Sequence, residues 1–66
     1  MKMSYNKLWK LLIDKGMNKS ALRIAAGISS SSLAKLSKGE NVTTDVLLRI
    51  CETLNCGLDD IAEAAL

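Results

Sequence analysis

Sixty-six residues with a net charge of +2, no His, no Pro and no Phe describe one small domain with a marginal core. Without imidazole there is no His base and no His metal ligand, and two cysteines are too few for a disulfide scaffold. The longest apolar runs, such as Leu11-Leu12-Ile13, are far short of the about 20 residues of a membrane span, and no apolar signal core follows Met1, so a cytoplasmic protein is expected.

The chain is expected to be all-α, with five short helices. Leu8, Leu11, Leu12 and Lys15 recur at three- and four-residue steps, which predicts an amphipathic first helix over about 5–15. Ser4 is its expected N-cap, and Gly16 lies just past its end. A second helix is expected from Asn18, a good cap, to Ala26, with Gly27 closing it. Ser29-Ser30-Ser31-Ser32 could be a flexible linker. Only two residues separate the flanking helices, however, so Ser29 reads better as the N-cap of a third helix ending before Gly39.

A fourth helix is expected after Thr43 or Thr44, with Val46, Leu47, Ile50, Cys51 and Leu54 as its buried stripe and Asn55 and Gly57 at its end. A short fifth helix is expected over about Leu58 to Ala65, with Asp59 and Asp60 at the positive end of its dipole. No segment alternates with period two for long enough to predict a strand.

Charge is unevenly spread. Residues 1–39 carry +7, and residues 40–66 carry −5. Such a division fits one surface turned to a polyanion and another turned away from it, although solvated helix faces would also produce it.

Residues 19–38 hold two short helices joined through Gly27, with Leu22, Ala26, Ile28, Leu33 and Leu36 as apolar contacts. This is the pattern of a helix-turn-helix. At 100° per residue, Leu33 and Leu36 mark the inward side of the third helix. Ser31, Ala34, Lys35 and Lys38 lie opposite, with Ser30 at the edge. A slim face without acids can enter a major groove and offer hydroxyl and ammonium groups to bases and phosphates. Many soluble helices expose Ser and Lys without such a role.

The stretch Met17-Asn18-Lys19-Ser20-Ala21-Leu22, Gly27-Ile28-Ser29, Ser32-Leu33-Ala34-Lys35-Leu36 and Lys38-Gly39-Glu40 resembles the Cro/C1-type helix-turn-helix of the XRE regulators. Residues 47–56 and Leu58-Asp59-Asp60-Ile61 extend the likeness. Overall likeness reaches the small regulators of mobile elements, including VanU-type regulators of glycopeptide-resistance operons. The resemblance implies one lambda-repressor-like DNA-binding domain over residues 1–66. It also implies a sequence-specific transcriptional regulator, expected to be a repressor, reading double-stranded DNA as a homodimer and residing with the nucleoid.

By position, the resemblance places Asn18 and Lys19 at a phosphate and Ser30, Ser31 and Lys35 at base edges. Ser32 falls at a backbone-contact hydroxyl, and Lys38 and Asn41 at the opposite phosphate wall. There are departures. Arg23 stands where Ala is common, and Leu12 and Ser37 replace a buried Arg–Glu pair. The reading face lacks the Gln and Arg that make bidentate base contacts.

Several residues admit two readings. Trp9 suits core packing better than stacking on bases. Cys51 suits the core and Cys56 a partly exposed thiol. Leu58, Ile61, Ala65 and Leu66 are a candidate dimer surface or else complete the core, and Ile24 is a further candidate contact. No nucleophile–base–orienter set is present, so no enzyme, cofactor, metal or small-molecule ligand is expected. The competing function is a protein-interaction module, antitoxin-like or anti-repressor, with little intrinsic DNA specificity.

Overall fold

The computed structural model describes residues 1–65. Among these are four α-helices: α1 (Asn6–Asp14), α2 (Lys19–Ala26), α3 (Ser30–Lys38) and α4 (Thr44–Leu54). A 3₁₀ turn follows at Leu58–Asp60. Two short strands, β1 (Lys2–Ser4) and β2 (Glu63–Ala65), pair antiparallel with Met3 opposite Ala64.

Side chains that compete for backbone donors set the helix starts. Asn18 Oδ1 accepts from the Ala21 N–H at 2.7 Å. Ser29 Oγ accepts from Ser32 N–H at 3.1 Å, and Thr43 Oγ1 from Val46 N–H at 3.3 Å. Asn18 and Ser29 are the expected caps, Thr43 of the two candidate threonines caps α4, and the four serines are the start of α3 and not a linker.

The helix ends share one device. Met17, Ile28, Glu40 and Cys56 each donate a backbone N–H to the carbonyl five residues earlier. The residue before each of them, Gly16, Gly27, Gly39 or Asn55, has positive φ. This closes the last turn and satisfies carbonyls the helix leaves open.

Two expectations at the chain ends are corrected. Ser4 is not a cap: it lies in β1 opposite Glu63, and Tyr5 occupies the N-cap position without a side-chain bond. The fifth helix does not form. After one 3₁₀ turn the chain runs out into β2, because residues 63–65 take their backbone partners from residues 2–4. The fold is thus mostly helical, with a small sheet joining residues far apart in the chain.

The core draws on every element. Leu8 from α1, Leu22 from α2, Leu36 from α3, Ile50 from α4 and Ile61 beyond the 3₁₀ turn are its most deeply buried side chains. Burying a side chain of this size stabilises by about 1.5–3 kcal/mol. Leu12 is buried with them, so an apolar contact stands where the ion pair was absent from the sequence. Tyr5 is buried too, and its hydroxyl donates to the Glu40 carbonyl at 3.0 Å, tying the start of α1 to the loop after α3.

Candidate nucleic-acid interface

Helix α3 is held by its inward residues. Leu36 is buried and Leu33 half-buried, while Ser30, Ser31, Ala34, Lys35 and Lys38 are exposed. The exposed set contains only small or basic side chains and no acid. Ser32 is half-buried, with its hydroxyl receiving the Ser29 hydroxyl proton at 3.1 Å.

The turn before α3 fixes its direction. Gly27 has φ +67°, a left-handed conformation that costs an L-residue about 1–2 kcal/mol. Ile28, the next residue, is buried and pins the turn to the core. Arg49 of α4 braces it from outside. Its Nη1 donates to the Gly27 carbonyl at 3.4 Å, and its Nε donates to Asp45 Oδ2 at 3.0 Å. Sequence reading missed this brace, because its residues are 22 positions apart.

The other candidate contacts flank α3. Asn18 and Lys19 open α2 and are exposed. Asn18 uses its carbonyl oxygen as the cap, which leaves its amide NH₂ outward. Lys19 Nζ donates to Ser37 Oγ at 3.2 Å and lies 4.3 Å from the centre of the Trp9 ring. Asn41 is exposed in the loop that Tyr5 holds through Glu40. Glu40 is itself exposed, an acid within an otherwise basic border.

Two residues missing from the sequence reading join this border. A shallow groove between β1, the start of α1 and the end of α3 brings Lys2 and Asn6 to the same lining as Ser37 and Lys38. Lys2 reaches it from β1, where it pairs with Ala65, and no local pattern announced that pairing. Trp9 packs against the core, as expected, and is half-buried there, with part of its surface under the Lys19 ammonium.

The basic character survives folding. The ion pairs among the described residues are Lys7 with Glu63 at 3.8 Å and Arg49 with Asp45 at 3.0 Å. Lys35 and Lys38 take part in neither, so their charges remain available to a polyanion. Of the thiols, Cys51 is buried and Cys56 half-buried. Burial, with the neighbouring Cys56, pushes the Cys51 thiol above its ordinary pKa. Among the described residues no group of three or more His, Cys, Asp or Glu is placed to hold a metal ion. No helix there is long and apolar enough to cross a membrane.

The candidate dimer surface is divided by the structure. Ile61 is fully buried within the monomer and completes the core, the second of its two expected readings. Leu58 remains 44% exposed, and Ala65 is half-buried in β2. Leu66 lies outside the described residues. Ile24 is exposed, as are Ile13 and Leu48.

Two short helices joined by a turn that buried Ile28 pins to the core, with an acid-free face on the second, define a helix-turn-helix of the DNA-binding kind. Residues 7–65 match the Cro/C1-type HTH DNA-binding domain, and the chain belongs to that family. It is similar to a solved structure, the crystal structure of the transcriptional regulator VanUg. The two are 61% identical and superpose with a TM-score of 0.95 over 97% of this chain and 85% of that one. No curated protein sequence matches the chain.

Proposed function

We propose that this DNA-binding domain is a sequence-specific transcriptional regulator, and that it represses by occupying a two-fold operator as a homodimer. One observation carries the reading. The exposed side of α3 offers Ser30, Ser31, Lys35 and Lys38 on a face without acids, beside the start of α2. Membership in the Cro/C1-type family supports it, and so does the likeness to VanUg, a transcriptional regulator.

In this reading Ser30, Ser31 and Lys35 meet base edges in the major groove. Asn18, Lys19 and Ser32 meet one phosphate wall, and Lys38 and Asn41 the other. Hydroxyls and a single ammonium give weaker base discrimination than Arg or Gln would, so groove shape contributes to site choice. Two copies place two α3 helices in successive major grooves about 34 Å apart, which doubles the phosphates neutralised. Leu58 and Ala65 are the proposed meeting surface, with Leu66. The protein works by occupancy without catalysing a reaction, as one domain over residues 1–66, in the cytoplasm and on the nucleoid.

The test is enrichment of random-sequence duplexes on the purified protein. Fluorescence anisotropy of the winning and a scrambled duplex then follows at low and physiological salt. A two-fold symmetric winner bound far above the scrambled control is the expected result. Equal binding that vanishes with salt would reduce the protein to a non-specific binder. No binding at low salt would favour the protein-interaction module, for which the exposed Ile13, Ile24 and Leu48 would be the first surface to probe.

A further inference from the structure

Lys19 sits where three helices converge. Trp9 comes from α1, Lys19 opens α2, and Ser37 lies in the last turn of α3. The ammonium lies 4.3 Å from the Trp9 ring centre and donates to Ser37 Oγ at 3.2 Å. A ring face attracts a cation, and the ring packs against the core, so it is a fixed platform. A lysine normally spreads over many rotamers and loses that freedom when it binds. Here much of that loss falls on folding, before any ligand arrives.

The held ammonium stays usable. Lys19 is exposed, and an ammonium has three donors, of which Ser37 takes one. The helix start adds to it. Asn18 Oδ1 takes the Ala21 N–H, and the Asn18 carbonyl takes the Leu22 N–H. The N–H groups of Lys19 and Ser20 have no partner within the helix, since the first turn supplies none. Ammonium and free N–H groups therefore meet at the positive end of the α2 dipole.

We infer that Trp9 is a positioning residue for DNA: its ring, with the Ser37 hydroxyl, holds the Lys19 ammonium at the place where a duplex phosphate is received. The inference rests on the DNA-binding reading above and deepens it. It assigns a functional part to a tryptophan that sequence pattern placed in the core, and to a serine that no DNA contact requires.

The test is a double-mutant cycle read by anisotropy on one duplex at low salt, with folding checked by circular dichroism. Trp9→Leu should weaken binding about two- to fivefold, the range of an exposed cation–π contact. Trp9→Phe, which keeps a ring face, should retain most of the affinity. In a Lys19→Gln background, Trp9→Leu should change nothing further. Should Trp9→Leu fail to fold, Ser37→Ala on the exposed side takes its place: a loss on Lys19 and none on Gln is expected. A purely structural role would weaken both backgrounds equally, and that additivity would overturn the inference while leaving DNA binding intact. Failure of the unmodified protein to bind any duplex would remove the DNA reading and this role with it.

Discussion

Replacing Ile61 by Ala asks whether this residue belongs to the core or to a subunit contact. Its side chain is wholly enclosed within the monomer. The substitution removes three carbons, which at about 0.8 kcal/mol each is about 2.4 kcal/mol of transfer free energy. The unfilled space adds to this, and measured losses of this kind run to about 2–5 kcal/mol. A domain of this length holds only about 3–10 kcal/mol in total. A loss of about 3 kcal/mol would lower Tm by roughly 12–24 °C. Leu58→Ala, at a site already 44% exposed, should cost under about 1 kcal/mol. Thermal melts by far-UV circular dichroism, over an about hundredfold range of protein concentration, separate the cases, because mass action makes a subunit contact concentration-dependent. The expected result is a large drop for Ile61→Ala, equal at every concentration. A drop of under about 3 °C, or one that shrinks as concentration rises, would refute the placement of Ile61 in the core.

Lys35→Ala should cost about 1–3 kcal/mol on the preferred duplex and little on a scrambled one, whereas Lys38→Ala should weaken both alike and lower the log–log salt slope by about 0.9. Neither lysine is in an ion pair, so the melting temperatures should hold; identical salt behaviour in the two variants would undo the division between base and phosphate contacts. Burial pushes the Tyr5 phenol above its ordinary value of 10.0. The unfolded chain ionises it first, so its contribution to stability is intact below about pH 10 and is lost as pH climbs toward the raised folded value. Tyr5→Phe should flatten that alkaline decline in denaturant titrations, and an unchanged slope would count against it. Gly27→Ala should lower Tm by about 4–16 °C through left-handed strain alone, since the added carbon would meet Arg49 Nη1 at an ordinary 3.6 Å. A Tm at or above the parent's would show that the turn can relax.

The four helices were legible because their signals are local. Asn18, Ser29 and Thr43 each cap within three residues, and Gly16, Gly27 and Gly39 each close a turn they adjoin. The outward face of α3 followed from period alone once Leu33 and Leu36 were set inward. The sheet was not legible. Lys2-Met3-Ser4 and Glu63-Ala64-Ala65 hold no β-branched residue and are too short to alternate. Their pairing comes from chain ends brought together by the helices, and the alanines favour helix on their own. Ile61 was ambiguous for a related reason, because hydrophobicity does not distinguish a core residue from a contact residue. The Trp9–Lys19–Ser37 cluster and the Arg49 brace were invisible, since each joins helices whose relative placement no spacing encodes.

The β1–β2 ribbon has a dynamic consequence for α3. Two three-residue strands are marginal by themselves, and their amides exchange through local fraying well below the free energy of global unfolding. The ribbon rests against the end of α3: a Cβ on Gly39 would lie in ordinary contact, 3.5 Å from the Met3 carbonyl. Fraying should therefore loosen the Gly39 end of α3 more than its Ile28 end. The buried Ile28 and Leu36 should hold most of the helix, so any loosening should be confined to Lys38 and Gly39. Hydrogen exchange should show this gradient along α3, with slow exchange toward Ser30 and faster exchange toward Lys38.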